Sequence, residues 1–454
     1  MRGSMFRPDE AITDLVLAAC RERLSIDPLP LDNGGLVDSV YGQLSSLIGP
    51  DGNDAKTVLA LFVDKLAKAG VRCDSPRFLS FVPAAPTKAS LLFDMFVSCS
   101  NLHGTSWLEA AGVVVAENQA LEVLAAQAGF PSGAGGCFVA GGSAGNLSAL
   151  MVARDTAGHR RRGETPAHPL VAISDEAHPS VAKALHVLGV GAFKVPTADH
   201  RLTAPALQSA LAGDSRAADV VAVVATAGTT NAGIVDDLAG VADVAAEHSL
   251  WFHIDAAYGG AAALFAPSAR DAFVGFERAD SFIVDPHKWL FAPFDCAALV
   301  YRRPDLAKAI HTQDADYLEA FHRDDPNEWN PSDYAFHLTR RARGLPLWFS
   351  LAVNGLDAYR DAVEAGLAIA HRAAEQIDKS PHAELVRDPG LSIVLFRRPG
   401  WSKRDYDTWS ARLLSDQIAL VTPTTWEGET VGRFCFLHPE TTIEIVDHVL
   451  GSLA

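Results

Sequence analysis

Residues 281–289 read Ser-Phe-Ile-Val-Asp-Pro-His-Lys-Trp. The β-forming run Ser281 to Val284 leads directly into Asp285, Pro286, His287 and Lys288, so a short buried strand delivers a lysine at its carboxyl end. Burial strips an ammonium of its hydration, and the sequence therefore predicts a Lys288 pKa driven down. A neutral amine is what carbonyl chemistry through a Schiff base requires. An isolated lysine after a strand is more often an exposed loop residue, and the surrounding sequence has to decide between the two.

The same texture occurs upstream at 251–258, Trp-Phe-His-Ile-Asp-Ala-Ala-Tyr. His253 and Asp255 are two residues apart, on one side of a strand, and Asp255 stands where that strand should end. It is placed either to cap a helix or to hold a ring nitrogen protonated, which turns a heteroaromatic ring into an electron sink. Thirty-three residues separate Asp255 from Lys288, room for one helix and one further strand of the same sheet.

Working outward, β-rich runs recur at Cys137 to Ala140, Leu170 to Ser174, Val220 to Thr226, Leu250 to Ile254, Ser281 to Val284 and Ala297 to Tyr301, with helix-like segments between them from about Leu91 onward. The alternation predicts an α/β fold with a mostly parallel sheet covered by helices on both faces. Ligands in such folds sit at the carboxyl ends of the strands. There the sequence offers Gly141-Gly142-Ser143, Ser174-Asp175-Glu176, Thr226-Ala227-Gly228, Asp255 and Asp285. The run Gly141 to Asn146 follows a strand and opens a helix, which suits it to an anion such as phosphate. It matches neither GxGxxG nor GxxxxGK[ST], which disfavours dinucleotide and P-loop readings.

The flanks differ. Arg7 to about Gly70 has helical periodicity broken by turns, and 311–333 is polar, acidic and nearly free of aliphatic residues, the texture of a long surface loop or lid. Helical patterns resume after Arg340 through Gln376, followed by strand-like Ser392 to Phe396 and Arg433 to Leu437 and a closing helix, a small α+β domain. At 454 residues the chain is about three times the usual length of one domain. The organisation expected is an N-terminal helical segment at 1–87, a large domain at 88–350 with a mobile loop at about 311–333, and a small domain at 351–454. A net charge of −17 disfavours nucleic acid and anionic membranes and leaves a small molecule as the partner. No charge-free run reaches the roughly 20 residues of a membrane span. Six scattered cysteines without a CxxC pair suit reduced thiols in a cytoplasm, with no structural metal.

Taken together, Gly-Gly-Ser at a strand end, His178 in Asp175-Glu-Ala-His-Pro-Ser180, Asp255-Ala-Ala-Tyr258 and Asp285-Pro-His-Lys288 occur in the order of one family. The sequence resembles the group II pyridoxal-phosphate-dependent amino-acid decarboxylases, relatives of the aromatic L-amino-acid, histidine and glutamate decarboxylases. Ser75 to Phe81, Trp107, Glu117 and Arg340-Arg-Ala-Arg343 before Trp348 extend the resemblance over nearly the whole chain. It implies the fold-type I architecture of aspartate aminotransferase, pyridoxal 5'-phosphate as cofactor, and a homodimer with shared active sites whose N-terminal helices clasp the partner.

Residue by residue, the resemblance makes Lys288 the Schiff-base lysine. Asp255 pairs with the pyridine nitrogen, Ala257 lies on one ring face and His178 stacks on the other. Ser143, Ala144 and His287 bind the phosphate, and Thr226 lies near the ring hydroxyl. Arg433 corresponds to a position that contacts a substrate carboxylate, and Phe81 and His103 fall in regions that line the substrate pocket. Asp285 stands where relatives commonly have Asn, and a carboxylate there needs a compensating partner or points away. Relatives also have His at the position of Ser75. The loop tyrosine that protonates Cα in many relatives is not placed by counting; Tyr317 and Tyr334 are the tyrosines available. The activity implied is decarboxylation of an L-amino acid, with an aromatic one favoured by family frequency, to its amine and CO2. The alternatives are an aldehyde synthase, in which oxygen intervenes, and more remotely a C–C lyase or a non-catalytic cofactor-binding scaffold.

Overall fold

Seven strands form the central sheet of the computed structural model: β1 (Gly135–Val139), β2 (Leu170–Ser174), β3 (Gly191–Val195), β4 (Val220–Thr226), β5 (Trp251–Asp255), β6 (Ser281–Val284) and β7 (Ala297–Tyr301). The residues described are 6–7, 9–32, 35, 38–45, 47–82, 85–158, 166–313, 315–316 and 328–454. The strand order is β1-β7-β6-β5-β4-β2-β3. Only β7 runs against its neighbours, pairing antiparallel with β1 and β6. The carboxyl ends of β1, β2, β4, β5 and β6 therefore share one edge, and on that edge lie Gly141, Thr226, Asp255 and Asp285.

Both faces are covered, as the continuous apolar runs require. Val223 of β4 joins one hydrophobic cluster with Phe252, Phe282 and the helix Leu238–Glu247. Its neighbour Val224 faces the other, with Leu150, Ile173 and Ile283. Gly145 allows the second layer its close approach: a Cβ there would stand 2.3 Å from Cδ1 of Ile283. Strand β3 is absent from the sequence reading because it is a short edge strand whose exposed positions, Ala192 and Lys194, interrupt the apolar pattern.

The smaller sheet comprises β8 (Glu384–Leu385), β9 (Ile393–Arg397), β10 (Thr424–Trp426) and β11 (Glu429–Cys435), all antiparallel. Phe396, Phe434, Tyr406, Trp409 and Val446 form its core. The helix Leu345–Lys379, interrupted at Gly355 (φ 77°), spans the expected boundary at 350/351. At the other end of the chain, the helix Glu10–Ser25 is capped by Asp9, whose carboxylate accepts from Ile12 N at 3.0 Å. It buries no residue within this chain, and Ile12, Val16 and Leu17 are exposed. No helix among the described residues is long and apolar enough to cross a membrane.

One buried ion pair ties these layers together. Arg340 donates to both Glu117 carboxylate oxygens at 2.7 and 2.9 Å, Glu117 also accepts from Gly344 N at 2.8 Å, and both side chains are almost wholly buried. Removing one charge leaves the other uncompensated, which costs about 3–5 kcal/mol. Glu117→Gln is expected to lower the unfolding free energy by about 3 kcal/mol in urea titration; a loss below about 1 kcal/mol would show the pair to be dispensable.

Candidate active site

At the shared strand edge lies a cavity of about 240 Å³ lined by residues from five strand ends. After β1, Gly141 to Ser143 open the 14-residue helix Gly142–Asp155, whose amino terminus no side chain caps. Backbone N–H groups and the helix dipole there favour an anion. Gly142 is held to glycine by space, since a Cβ would come within 3.1 Å of Ala257 Cβ and 3.2 Å of both Asp285 carboxylate oxygens. Ser143 lines the cavity as expected. Ala144 does not: it packs against the second hydrophobic cluster, and its N–H donates to Gly141 O at 2.9 Å.

The end of β5 supplies Asp255, buried, with one carboxylate oxygen accepting from Asn146 Nδ2 at 2.9 Å and the other from Ala257 N at 3.2 Å. It caps no helix, the next one having its N-cap at Gly259, and it lines the cavity. The end of β4 supplies Thr226, whose hydroxyl is buried without a hydrogen-bond partner while lining the cavity. Asp236 fixes that strand end by accepting from Thr226 N and Leu202 N, each at 2.7 Å. Burial pushes the Asp236 carboxyl up to about 7 despite these N–H groups. His178, after β2, lines the cavity, and its Nδ1 accepts from Ser180 N at 3.2 Å.

Lys288 reaches the cavity from the single helical turn after β6, and here the expected pKa has the wrong sign. Burial does oppose its charge, but the Asp285 carboxylate 3.0 Å from Nζ, with Asp255 beyond, outweighs burial and holds Lys288 above its ordinary value. Asp285 does not point away. It faces Lys288, stands 3.5 Å from His287 Nε2, and leaves its second oxygen buried and unpartnered. His287 accepts from Cys296 N at Nδ1, 2.9 Å away, and burial pushes its imidazole down.

Asp285→Asn should therefore free the lysine as a neutral amine. Each unit of lowered pKa raises the neutral fraction at pH 7.5 about tenfold. Capture of cofactor by the cofactor-free variant, followed through its visible band at pH 7.5, is expected to quicken several-fold. An unchanged or slower rate would mean that the ion pair does not control the amine.

Three expected residues stand elsewhere. Tyr334 is buried in the second hydrophobic cluster, stacked on Trp329 at 4.0 Å, where burial raises its phenol pKa far above the ordinary value, and within one chain it does not line the cavity. Arg433 does not line the cavity, and its guanidinium donates to Phe81 O at 2.8 Å, Thr230 O at 2.6 Å and Asn231 O at 3.1 Å. It shapes the rim by holding Thr230, which does line the cavity. His103 is occupied by Glu109 and Thr105 at 2.8 and 2.9 Å, and within one chain neither it nor Phe81 lines the cavity. Tyr317 and most of the expected mobile loop lie outside the described residues. Asn146, Ser180 and Asp236 carry hydrogen bonds within the site; in the sequence, Asn146 reads only as the end of the anion cradle and Ser180 only as the end of a motif, and Asp236 is not singled out.

The residues present fit pyridoxal phosphate. An uncapped helix terminus faces the same cavity as an amine, a buried carboxylate and an unpartnered hydroxyl, matching a phosphate, an aldehyde, a ring nitrogen and a ring hydroxyl.

Residues 47–398 match the family model described as the pyridoxal-dependent decarboxylase conserved domain. The chain is 31% identical over 419 residues to an aromatic-L-amino-acid decarboxylase of Bacillus atrophaeus, covering 90% of this chain and 86% of that protein. It is 33% identical over 380 residues to an L-2,4-diaminobutyrate decarboxylase of Rhizobium meliloti (strain 1021), covering 80% and 74%. Among solved structures, Oryza sativa TDC with PLP and tryptamine superposes with a TM-score of 0.86 at 24% identity over 98% of both chains.

Proposed function

From the membership of this chain in the pyridoxal-dependent decarboxylase family, we propose that it converts an aromatic L-amino acid to its amine and CO2. Pyridoxal 5'-phosphate is its cofactor. The observation that carries the reading is the convergence of Lys288, Asp255, His178 and an uncapped helix terminus on one cavity.

When bound, the cofactor supplies an electron sink for the bond broken at Cα. The rest falls to the chain. The Gly142 and Ser143 segment and His287 would hold the phosphate, and Lys288 would supply the amine that holds the aldehyde. Asp255 would keep a proton on the ring nitrogen. Thr226 would hold the ring hydroxyl, and Ala257 and His178 would position the substrate so that its carboxylate is the group lost. Orientation of the scissile bond by the pocket selects decarboxylation over other fates of the same amino acid.

The aromatic preference rests on the Bacillus relative, since no described lining residue selects for an aromatic side chain. The exposed apolar face of Glu10–Ser25 fits a homodimer, in which the helix covers the partner.

The test supplies purified holoenzyme with aromatic, acidic and diamino L-amino acids and follows CO2, amine and peroxide together. Equimolar CO2 and amine from an aromatic substrate, without peroxide, are expected. Peroxide with an aldehyde would replace the proposal with an aldehyde synthase. Fastest turnover of an acidic or diamino substrate would overturn the aromatic assignment, and no CO2 from any substrate would overturn decarboxylation itself.

A further inference from the structure

Behind the cavity a hydrogen-bonded chain runs between strands β5 and β6 and the helix Gly142–Asp155. Trp251 Nε1 donates to Ser281 Oγ at 2.9 Å, and Ser281 Oγ lies 2.8 Å from His253 Nδ1. His253 Nε2 lies 2.9 Å from Asn146 Oδ1, and Asn146 Nδ2 reaches both Asp255 at 2.9 Å and Ser180 Oγ at 3.1 Å. Ser180 Oγ is 2.8 Å from His178 Nδ1. Asn146, Ser281 and His253 are fully buried.

The donors can be assigned from chemistry. A carboxylate only accepts, so the Asn146 amide must turn its NH2 toward Asp255 and its oxygen toward His253. His253 then carries its hydrogen on Nε2 and accepts from Ser281 at Nδ1. Burial pushes His253 down to about 4, in keeping with a neutral ring. The second Asn146 hydrogen goes to Ser180 Oγ, which leaves the Ser180 hydroxyl proton for His178 Nδ1. That nitrogen also accepts from Ser180 N, a group that can only donate. His178 is thereby left with its hydrogen on Nε2, the nitrogen without a hydrogen-bond partner among the described residues.

We propose that Asn146 is a positioning residue that sets the Asp255 carboxylate and directs the Ser180 hydroxyl onto His178 Nδ1, so that the ring-nitrogen site and the ring-face histidine are organised by one amide. This rests on the decarboxylase reading for its purpose. Its geometry belongs to the cofactor-free chain, where it can be tested separately.

Asn146→Asp preserves shape and the acceptor for His253. It replaces the donor with a second carboxylate beside Asp255 and draws the Ser180 hydroxyl away from His178. Titrating pyridoxal phosphate into the cofactor-free variant, with tryptophan fluorescence as readout, is expected to show affinity weakened about tenfold or more, as for a lost hydrogen bond to a charged group. The ¹⁵N signal of His178 Nδ1 should move in the same variant. Ser180→Ala, which spares the Asp255 branch, should move the His178 signal while cofactor affinity stays within about twofold. If Asn146→Asp does not fold, Asn146→Ala, which removes the amide without adding a charge, takes its place with the same two readouts. A folded Asn146→Asp protein with native affinity and a native His178 signal would overturn the proposal, as would a Ser180→Ala protein with an unmoved His178 signal. Wild-type chain that binds cofactor but releases no CO2 would refute the decarboxylase reading and leave this test intact.

Discussion

Lys288→Ala is expected to abolish the visible band of the lysine-bound cofactor and to lower kcat by roughly 10³ or more, the scale on which removal of a covalent catalytic group acts. The position explains the size of the effect. Lys288 is the amine at the strand edge where Asp255, Thr226 and the uncapped helix terminus converge. It sits on a helical turn, Pro286–Trp289, that its flanks hold firmly: Pro286 and Trp289 are buried, and the backbone N of Lys288 bonds to Asp285 O at 2.9 Å. Truncation removes the amine without removing the turn, so the variant should fold and still take up cofactor through the phosphate contacts, now reversibly. Dialysis should therefore strip cofactor from the variant and not from the wild type. Retention of the visible band, or of more than about a tenth of wild-type turnover, would move the covalent role to another residue.

Much of this site is legible in the sequence because strand ends are. Continuous apolar runs such as Val220 to Thr226 and Ser281 to Val284 announce buried strands, and their terminal polar residues are projected to one edge by parallel topology. The fold, the cofactor and the placement of Lys288, Asp255, His178, Thr226 and Ser143 follow from that logic and from the resemblance together. What the sequence does not convey is which polar groups meet. Arg433 sits on a strand and reads as an available cation, but three backbone carbonyls absorb its guanidinium. Tyr334 follows a polar loop and reads as exposed, yet it stacks on Trp329 inside the core. The sign of the Lys288 shift depends on Asp285 turning inward, a rotamer choice with no signature in residue order. Asn146 was visible as the last residue of a glycine-rich turn. Its bonds to His253, Asp255 and Ser180 join positions up to 109 residues apart.

Asp255→Asn is expected to separate cofactor attachment from catalysis. The amide preserves the size of the side chain and keeps one acceptor oxygen, for either Asn146 Nδ2 or Ala257 N but not for both. It carries no charge with which to hold a proton on the ring nitrogen. Lys288 keeps its closest partner, Asp285, so the visible band should persist, with at most a modest shift. The kcat for CO2 release should fall by about 10²–10⁴, the usual contribution of a positioned acid–base group. KM should change much less, because the carboxylate acts on the ring and not on the substrate side chain. A decisive control uses a cofactor analogue methylated at the ring nitrogen, whose positive charge needs no proton. Reconstituting the variant with it is expected to recover part of the lost kcat, while the same analogue should give wild-type protein no gain. A variant that keeps more than about a tenth of wild-type kcat, or one that the charged analogue fails to rescue, would show that Asp255 holds the site together without supplying the charge that the chemistry uses.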